Sequence, residues 1–317
     1  MAYDSRILPQ LDGSVFLMDG GLETTLIFLE GVDLPCFAAF PLLLDTAGCQ
    51  KLRGYFEPFI KTAMKYKAGF ILDTPTWRSN TDWGAKLGYS GEQLADVNRK
   101  AVALAKDIKS HFVTSTTPIV VNGAIGPRGD GYRVDKKMTA EEACAYHTPQ
   151  IETFREAGAE MVSAITMNYI EEATGIARTA QANGIPVVIA FTVETDGKLA
   201  SGDTLGAAIE TVDRVTNSAP AYYMVNCAHP THFYNVLSGG ASWTNRVRGL
   251  RANASRQSHA ELDAATELDA GNPQELGQQY RDLCRRLPRL SVLGGCCGTD
   301  HRHVVAICDA CVPIPSG

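Results

Sequence analysis

The chain has 317 residues, of which 45% are hydrophobic and 20% charged, and carries a net charge of −6 with both signs scattered along its length. Those proportions are those of a soluble globular protein. They leave no basic footprint for nucleic acid or an anionic membrane surface, and no run approaches the ~20 apolar residues of a membrane span.

Nine cysteines, an odd number without small-domain spacing, argue against a disulfide scaffold and for thiols kept reduced, hence a cytoplasmic setting. Met1–Arg6 leads into no apolar run, so no secretory leader is expected. The sequence is also compatible with a homo-oligomer.

In chain order, eight β-rich runs are predicted: Val15–Met18, Phe70–Leu72, Ile119–Val121, Met161–Ile165, Val187–Phe191, Tyr222–Val225, Val247–Leu250 and Leu290–Leu293. Helical patterns separate them, most clearly over 51–67, 92–110, 139–157, 171–183, 203–217 and 274–286, with a last helix starting near Asp300. Asp203 and Asp300 read as N-caps, and Gly158 and Gly184 as stops. Eight strands with intervening helices predict a single (β/α)₈ barrel over 1–317. A doubly wound sheet is disfavoured because Asp19-Gly20-Gly21-Leu22-Glu23 lacks the spacing of a dinucleotide turn. The polar, Ala-rich segment 251–273 reads as a loop over the barrel mouth or a short extra helix.

Chemically special residues follow several of these runs: Asp19, Asp73-Thr74, Asn122, Thr166, Thr192-Glu194, Asn226-Cys227, Asn253 and Cys296-Cys297. In a barrel this is the C-terminal rim, where active sites form. Cys227 ends the sixth strand, and the pair in Gly294-Gly295-Cys296-Cys297-Gly298-Thr299 ends the eighth. Interior layers draw on alternate strands, so strands six and eight can present these thiols to one another. Three thiolates would hold Zn²⁺ and leave an open fourth position. The plainer alternative is three buried small hydrophobes, which more often lie mid-strand. Anionic sulfurs make the metal a weak Lewis acid, suited to holding an incoming thiol as the nucleophilic thiolate. The chemistry implied is alkyl transfer to a substrate sulfur.

These residues resemble the homocysteine S-methyltransferase family over nearly the whole chain. The resemblance is carried by Asp19-Gly20-Gly21, Asn122-Gly123-Ala124-Ile125-Gly126-Pro127, Asn226-Cys227, and Gly294–Thr299 with His303. It implies a zinc-dependent barrel that moves a methyl group from an onium donor, such as S-methylmethionine or a betaine, to homocysteine, giving methionine. It also implies Zn²⁺ on Cys227, Cys296 and Cys297 and a substrate-side role for Asp19. Two positions depart from the family. Ile165 stands where the fourth strand commonly carries a Glu for the substrate ammonium, and Thr25 where many members have Glu. Glu23 or Glu194 is the candidate replacement.

Trp77 is a candidate face for a cationic methyl donor, the alternative being packing under a loop. Thr166 and Asn226 flank the thiols and join the substrate-side candidates. Arg128 and Asp130 read as solvated loop polarity, Glu194 and Asp196 as substrate contacts or turn formers, and His303 as a capping group. The other six cysteines receive no role. Two further functions remain open: a methyltransferase with a different thiol acceptor, motivated by Ile165, and a redox protein cycling a Cys296-Cys297 disulfide.

Overall fold

The computed structural model describes residues 8–312, in which eight parallel strands close on themselves in sequence order. They are β1 (Phe16–Leu17), β2 (Gly69–Asp73), β3 (Ile119–Ile125), β4 (Met161–Met167), β5 (Val187–Phe191), β6 (Tyr222–Asn226), β7 (Val247–Ala252) and β8 (Val292–Gly295). Phe16 is in register with Gly69 on one side and Val292 on the other, so β1 joins β2 to β8 and no edge is left to cover. The protein is a (β/α)₈ barrel, as its strand spacing predicts. Met1–Arg6 lies outside the described residues.

Around the barrel run α1 (Leu22–Thr24), α2 (Thr46–Tyr66), α3 (Thr81–Lys86), α4 (Gly91–Phe112), α5 (Ala140–Ala157), α6 (Ile170–Ala182), α7 (Leu205–Thr216), α8 (Pro230–Leu237), α9 (His259–Ala264), α10 (Pro273–Arg286) and α11 (His301–Cys311). Local chemistry explains where several begin and end. Capping boxes open α4 at Ser90, α5 at Thr139 and α11 at Asp300. Gly158, at φ 86°, closes α5 in the left-handed region, and Gly184 follows the α6 cap, Asn183. One expected cap is wrong by a residue. Thr204, not Asp203, caps α7, because Asp203 is occupied by the Ser201 hydroxyl at 2.7 Å.

Strand boundaries also move. β8 starts two residues late because Leu290 closes a turn on the Leu287 carbonyl at 2.9 Å. β3 runs on to Ile125, which makes Asn122 a mid-strand residue rather than a strand end.

Alternation along each strand sorts side chains between two cores. Outward residues such as Tyr223, Val225, Ile189 and Leu250 pack under helices, against Phe154, Ile176 and Tyr280 among others. Inward residues Phe16, Met18, Ile71, Val120, Met161, Val188, Tyr222, Met224 and Val292 fill the barrel. Each large apolar side chain so buried contributes ~1.5–3 kcal/mol. Continuing the same inward parity toward the strand ends gives Asp73, Asn122, Asn226 and Arg251, all buried and polar. The barrel is therefore plugged by apolar side chains below and polar above, which points its chemistry to the C-terminal rim. Among the described residues, no helix is long and apolar enough to cross a membrane.

Candidate active site

The three thiols meet at that rim. Cys227 follows directly on β6 and Cys296 directly on β8. Their Cα atoms are 5.4 Å apart and their sulfurs are in direct contact. With Cys297 added, all three sulfurs lie within 4.8 Å of one another. The turn Cys296–Thr299 is folded by the Thr299 N–H and hydroxyl, both donating to the Cys296 carbonyl at 3.1 and 2.7 Å. Gly20 and Gly21 pack against this turn. A Cβ on Gly21 would stand 2.6 Å from the Cys296 carbonyl oxygen, and one on Gly20 2.7 Å from that of Thr299. The opening Asp-Gly-Gly is thus a close-approach device for the cysteine turn.

Every sulfur has a hydrogen-bond donor. The Thr166 hydroxyl points to Cys227 at 3.6 Å, Asn226 Nδ2 to Cys296 at 4.0 Å, and the Tyr132 hydroxyl to Cys297 at 3.7 Å. Thr166 and Asn226 also bind one another, through Thr166 N–H to Asn226 Oδ1 at 3.0 Å and Asn226 Nδ2 to Thr166 Oγ1 at 2.9 Å. Thr166 adopts φ 66° and Cys227 φ 51°, left-handed conformations that a β-branched residue rarely takes. The Thr166 conformation coincides with an irregularity in the β4–β5 pairing between Ala164 and Met167. The distortion aims the Thr166 side chain at sulfur. Tyr132 is stacked on His259 at 3.8 Å, and His259 reaches the Cys227 carbonyl with Nε2 (2.7 Å) and Glu194 with Nδ1 (2.8 Å). Burial holds the Tyr132 hydroxyl well above its usual range, so it stays a donor. Burial likewise pushes the Cys297 thiol up, to about 11, with Glu23 adding to the effect and the Tyr132 hydroxyl opposing it.

The floor is a buried charge cluster. Arg251 reaches Asp19 and Asp73 at 2.5 Å each and the Gly295 carbonyl at 3.0 Å. Tyr55 donates to Asp19 at 3.1 Å and Asn122 to Asp73 at 2.7 Å. Burial opposes the Arg251 charge, but the two carboxylates outweigh it and hold the guanidinium above its ordinary range. Burial raises the Asp19 carboxyl, against the pull of Arg251. Two carboxylates thus share one guanidinium.

Above this floor is a cavity of about 380 Å³ lined by Asp19, Glu23, Trp77, Ile165 and Thr166 together with the three cysteines. Of the residues singled out in the sequence, these and Asn226 converge. Glu194 does not; it lies outside the lining and is paired with His259. Trp77 forms part of the wall, but Arg78 covers one of its faces at 4.0 Å and its Nε1 donates to the Ile165 carbonyl at 3.1 Å. Segment 251–273 is both things expected of it. It contains α9, and Leu262, Asp263, Glu267 and Asp269 overhang the mouth. His303 caps its own helix, its Nδ1 accepting from the Asp300 N–H at 3.1 Å, and ties Nε2 to the Ala270 carbonyl at 2.8 Å.

The sequence model of the family described as homocysteine S-methyltransferase matches residues 16–311. The chain belongs to that family. This methyltransferase is 22% identical to homocysteine S-methyltransferase 4 of Zea mays, over 94% of the chain and 90% of the relative. It is 26% identical to the betaine-homocysteine S-methyltransferase of Drosophila melanogaster over 53% of the chain and 57% of that protein. Its fold matches the metallated form of the homocysteine methyltransferase MmuM from Escherichia coli with a TM-score of 0.73 at 18% identity, covering 93% and 95% of the two chains.

Reading the methyltransferase from sequence alone misses Tyr132, His259, Tyr55 and Arg251. Arg251 was detectable, since it shares the inward parity of β7 with Gly249 and Asn253. Tyr132 sits in a glycine-rich loop, and nothing local marks it as a partner of Cys297.

Proposed function

We propose that this methyltransferase moves a methyl group from a small onium donor, S-methylmethionine-like or betaine-like, to homocysteine, with zinc held by Cys227, Cys296 and Cys297. The observation that carries this reading is the trio of rim sulfurs within 4.8 Å, each with its own hydrogen-bond donor. Three soft ligands at this spacing suit a tetrahedral ion with one position left for substrate. The donors from Thr166, Asn226 and Tyr132 suit the surplus negative charge of three thiolates on a divalent ion, and such outer contacts orient ligands. A zinc ion held by these three cysteines would supply the charge that keeps an acceptor sulfur deprotonated near neutral pH. The acceptor sulfur then attacks the methyl carbon. The new C–S bond forms as the bond to the onium atom breaks, its electron pair leaving with a now neutral donor, and the thiol proton is released to solvent. The carboxylates of Asp130, Asp263, Glu267 and Asp269 around the mouth favour a cationic donor entering it.

Metal analysis with X-ray absorption tests the centre. About one zinc per chain with three sulfurs at ~2.3 Å is expected. Serine in place of any one cysteine should abolish methyl transfer while the fold survives, because the site is on the rim. Wild-type-like transfer by a Cys227→Ala variant would end the proposal. A redox reading keeps one observation on its side, and it is not the adjacent pair: the sulfurs in contact are those of Cys227 and Cys296. Metal-free protein that cycles this pair reversibly, without methylating any thiol, would favour it.

A further inference from the structure

The carboxylates of the cavity can be followed to their partners one by one. Asp19 gives Oδ1 to Arg251 and Oδ2 to Tyr55, and Asp73 gives Oδ1 to Asn122 and Oδ2 to Arg251. Asp130 Oδ1 accepts the N–H groups of Tyr132 and Arg133, and Asp269 Oδ1 that of Gly271. Asp263 and Glu267 are exposed on the overhanging segment. Glu23 differs from all of these. It is half-buried in the lining and, among the described residues, has no ion-pair partner and no side-chain hydrogen bond beyond its own backbone N–H. Burial pushes its carboxyl up, despite its own backbone N–H and the pull of Arg251 and Arg78.

Arg78 is its counterpart of opposite sign. It is 8% exposed, lines the same cavity, and is held between the rings of Trp77 and Trp83 at 4.0 and 3.8 Å. Its one hydrogen bond among the described residues is from Nη1 to the Gly129 carbonyl at 3.2 Å, and Nε is buried without a partner. Burial lowers its guanidinium to about 10. Arg78 feels Asp130 most and Glu23 next, and Glu23 feels Arg251 and then Arg78, yet neither forms an ion pair with any of them. Buried charges left this way are costly unless something completes them.

We infer that Glu23 and Arg78 clamp the zwitterionic head of an α-amino-acid thiol, Glu23 taking the ammonium and Arg78 the carboxylate, while its sulfur faces Cys227, Cys296 and Cys297. The inference rests on the methyltransferase reading above and assigns the residues that select its acceptor. The β4 side, where Ile165 and the Trp77 ring meet, carries no anionic partner for an ammonium. Arg251 is already committed to Asp19, Asp73 and the Gly295 carbonyl, which leaves Arg78 as the carboxylate's partner.

Product-shaped ligands test the clamp without needing a loaded metal. L-Methionine, 4-(methylthio)butanoate (no ammonium) and 3-(methylthio)propylamine (no carboxylate) are titrated calorimetrically into the wild type, Glu23→Gln and Arg78→Gln. Charge-assisted hydrogen bonds of this kind correspond to roughly 10- to 100-fold in affinity. The wild type should prefer methionine to either truncated ligand by about that factor. Glu23→Gln should weaken methionine and the amine but spare the butanoate, and Glu23→Asp should recover part of the loss. Arg78→Gln should do the reverse. If Arg78→Gln does not fold, the Glu23 arm decides. A loss shared equally by all three ligands, or no loss, overturns the clamp, as does transfer of the ammonium effect to Asp263→Asn. Wild-type methylation of homocysteine is scored in parallel. Its absence beside the expected ligand pattern sinks the methyltransferase reading and keeps the clamp, whereas its presence beside a flat pattern does the opposite.

Discussion

Arg251 shows how much one side chain can hold. Its guanidinium is buried and bridges two carboxylates that come from β2 and from the loop after β1. Removing one partner of a buried ionic group leaves the remainder uncompensated, at a cost of ~3–5 kcal/mol. We expect Arg251→Met to lose stability on that scale in urea unfolding, and the triple variant that adds Asp19→Asn and Asp73→Asn to recover most of it. A single variant as stable as the wild type would remove the cluster from the account of the fold. This is also the scale at which the sequence was hardest to read. Cys227, Cys296 and Cys297 were legible because strand-end position and residue type point the same way. Thr166 was visible as a candidate, but its left-handed backbone was not, since a β-branched residue there violates local preference and is held by contacts from β6. Glu194 looked like a pocket residue because it follows β5. A helix 65 residues further on claims it through His259, and no local pattern reveals such a partner.

Secondary-structure elements carry a second kind of consequence. His229 caps α8 by accepting the Thr231 N–H on Nδ1 at 3.3 Å, which requires the neutral ring. Burial, with His232 and Arg256 adding to it, lowers its titration from 6.5 to about 4. A histidine depressed in the folded state contributes stability that is fully present above the unfolded value of 6.5 and is lost as the pH falls from there toward 4. Urea midpoints measured at pH 7 and pH 4.5 should therefore fall less in His229→Asn, which keeps a capping acceptor, than in the wild type. An unchanged pH response in that variant would show that the helix start does not titrate. The elements themselves were largely legible, because hydrophobic alternation and caps agree along most of the chain. The exceptions have local causes. β8 slid by two residues when Leu290 was taken by a turn, and α8, only 8 residues long and opened by proline, is too short for a clear helical period.

At the scale of the molecule, the proposed metal centre joins distant parts of a closed sheet. Cys227 and Cys296 are 69 residues apart, on strands separated by β7. An ion that binds the folded chain and not the unfolded one adds ~2.7 kcal/mol when present at a hundredfold its dissociation constant. For a domain of this size that corresponds to a rise of roughly 4 °C in Tm. Chelation should lower the Tm by about that amount, and zinc should restore it in the wild type but not in Cys296→Ser. A Tm indifferent to chelation in a zinc-bearing protein would mean that the centre is uncoupled from folding. The architecture was readable because strand count and spacing leave few closed arrangements. The overhanging segment was readable only as a pair of alternatives, since its one helix, α9, is 6 residues long, too short for a helical period to show.

The sandwich of Arg78 between Trp77 and Trp83 has an optical consequence. The chain has three tryptophans, and two of them share one guanidinium, with Trp77 on the cavity wall and Trp83 bonded to the Gly129 carbonyl in the loop that Arg78 also holds. Anything that draws Arg78 toward the cavity alters the surroundings of both indoles at once, while Trp243, packed near Gly206 on the outer helices, stays as it was. The protein thus carries an intrinsic emission signal for occupancy of its own mouth, with an internal reference built into the same chain.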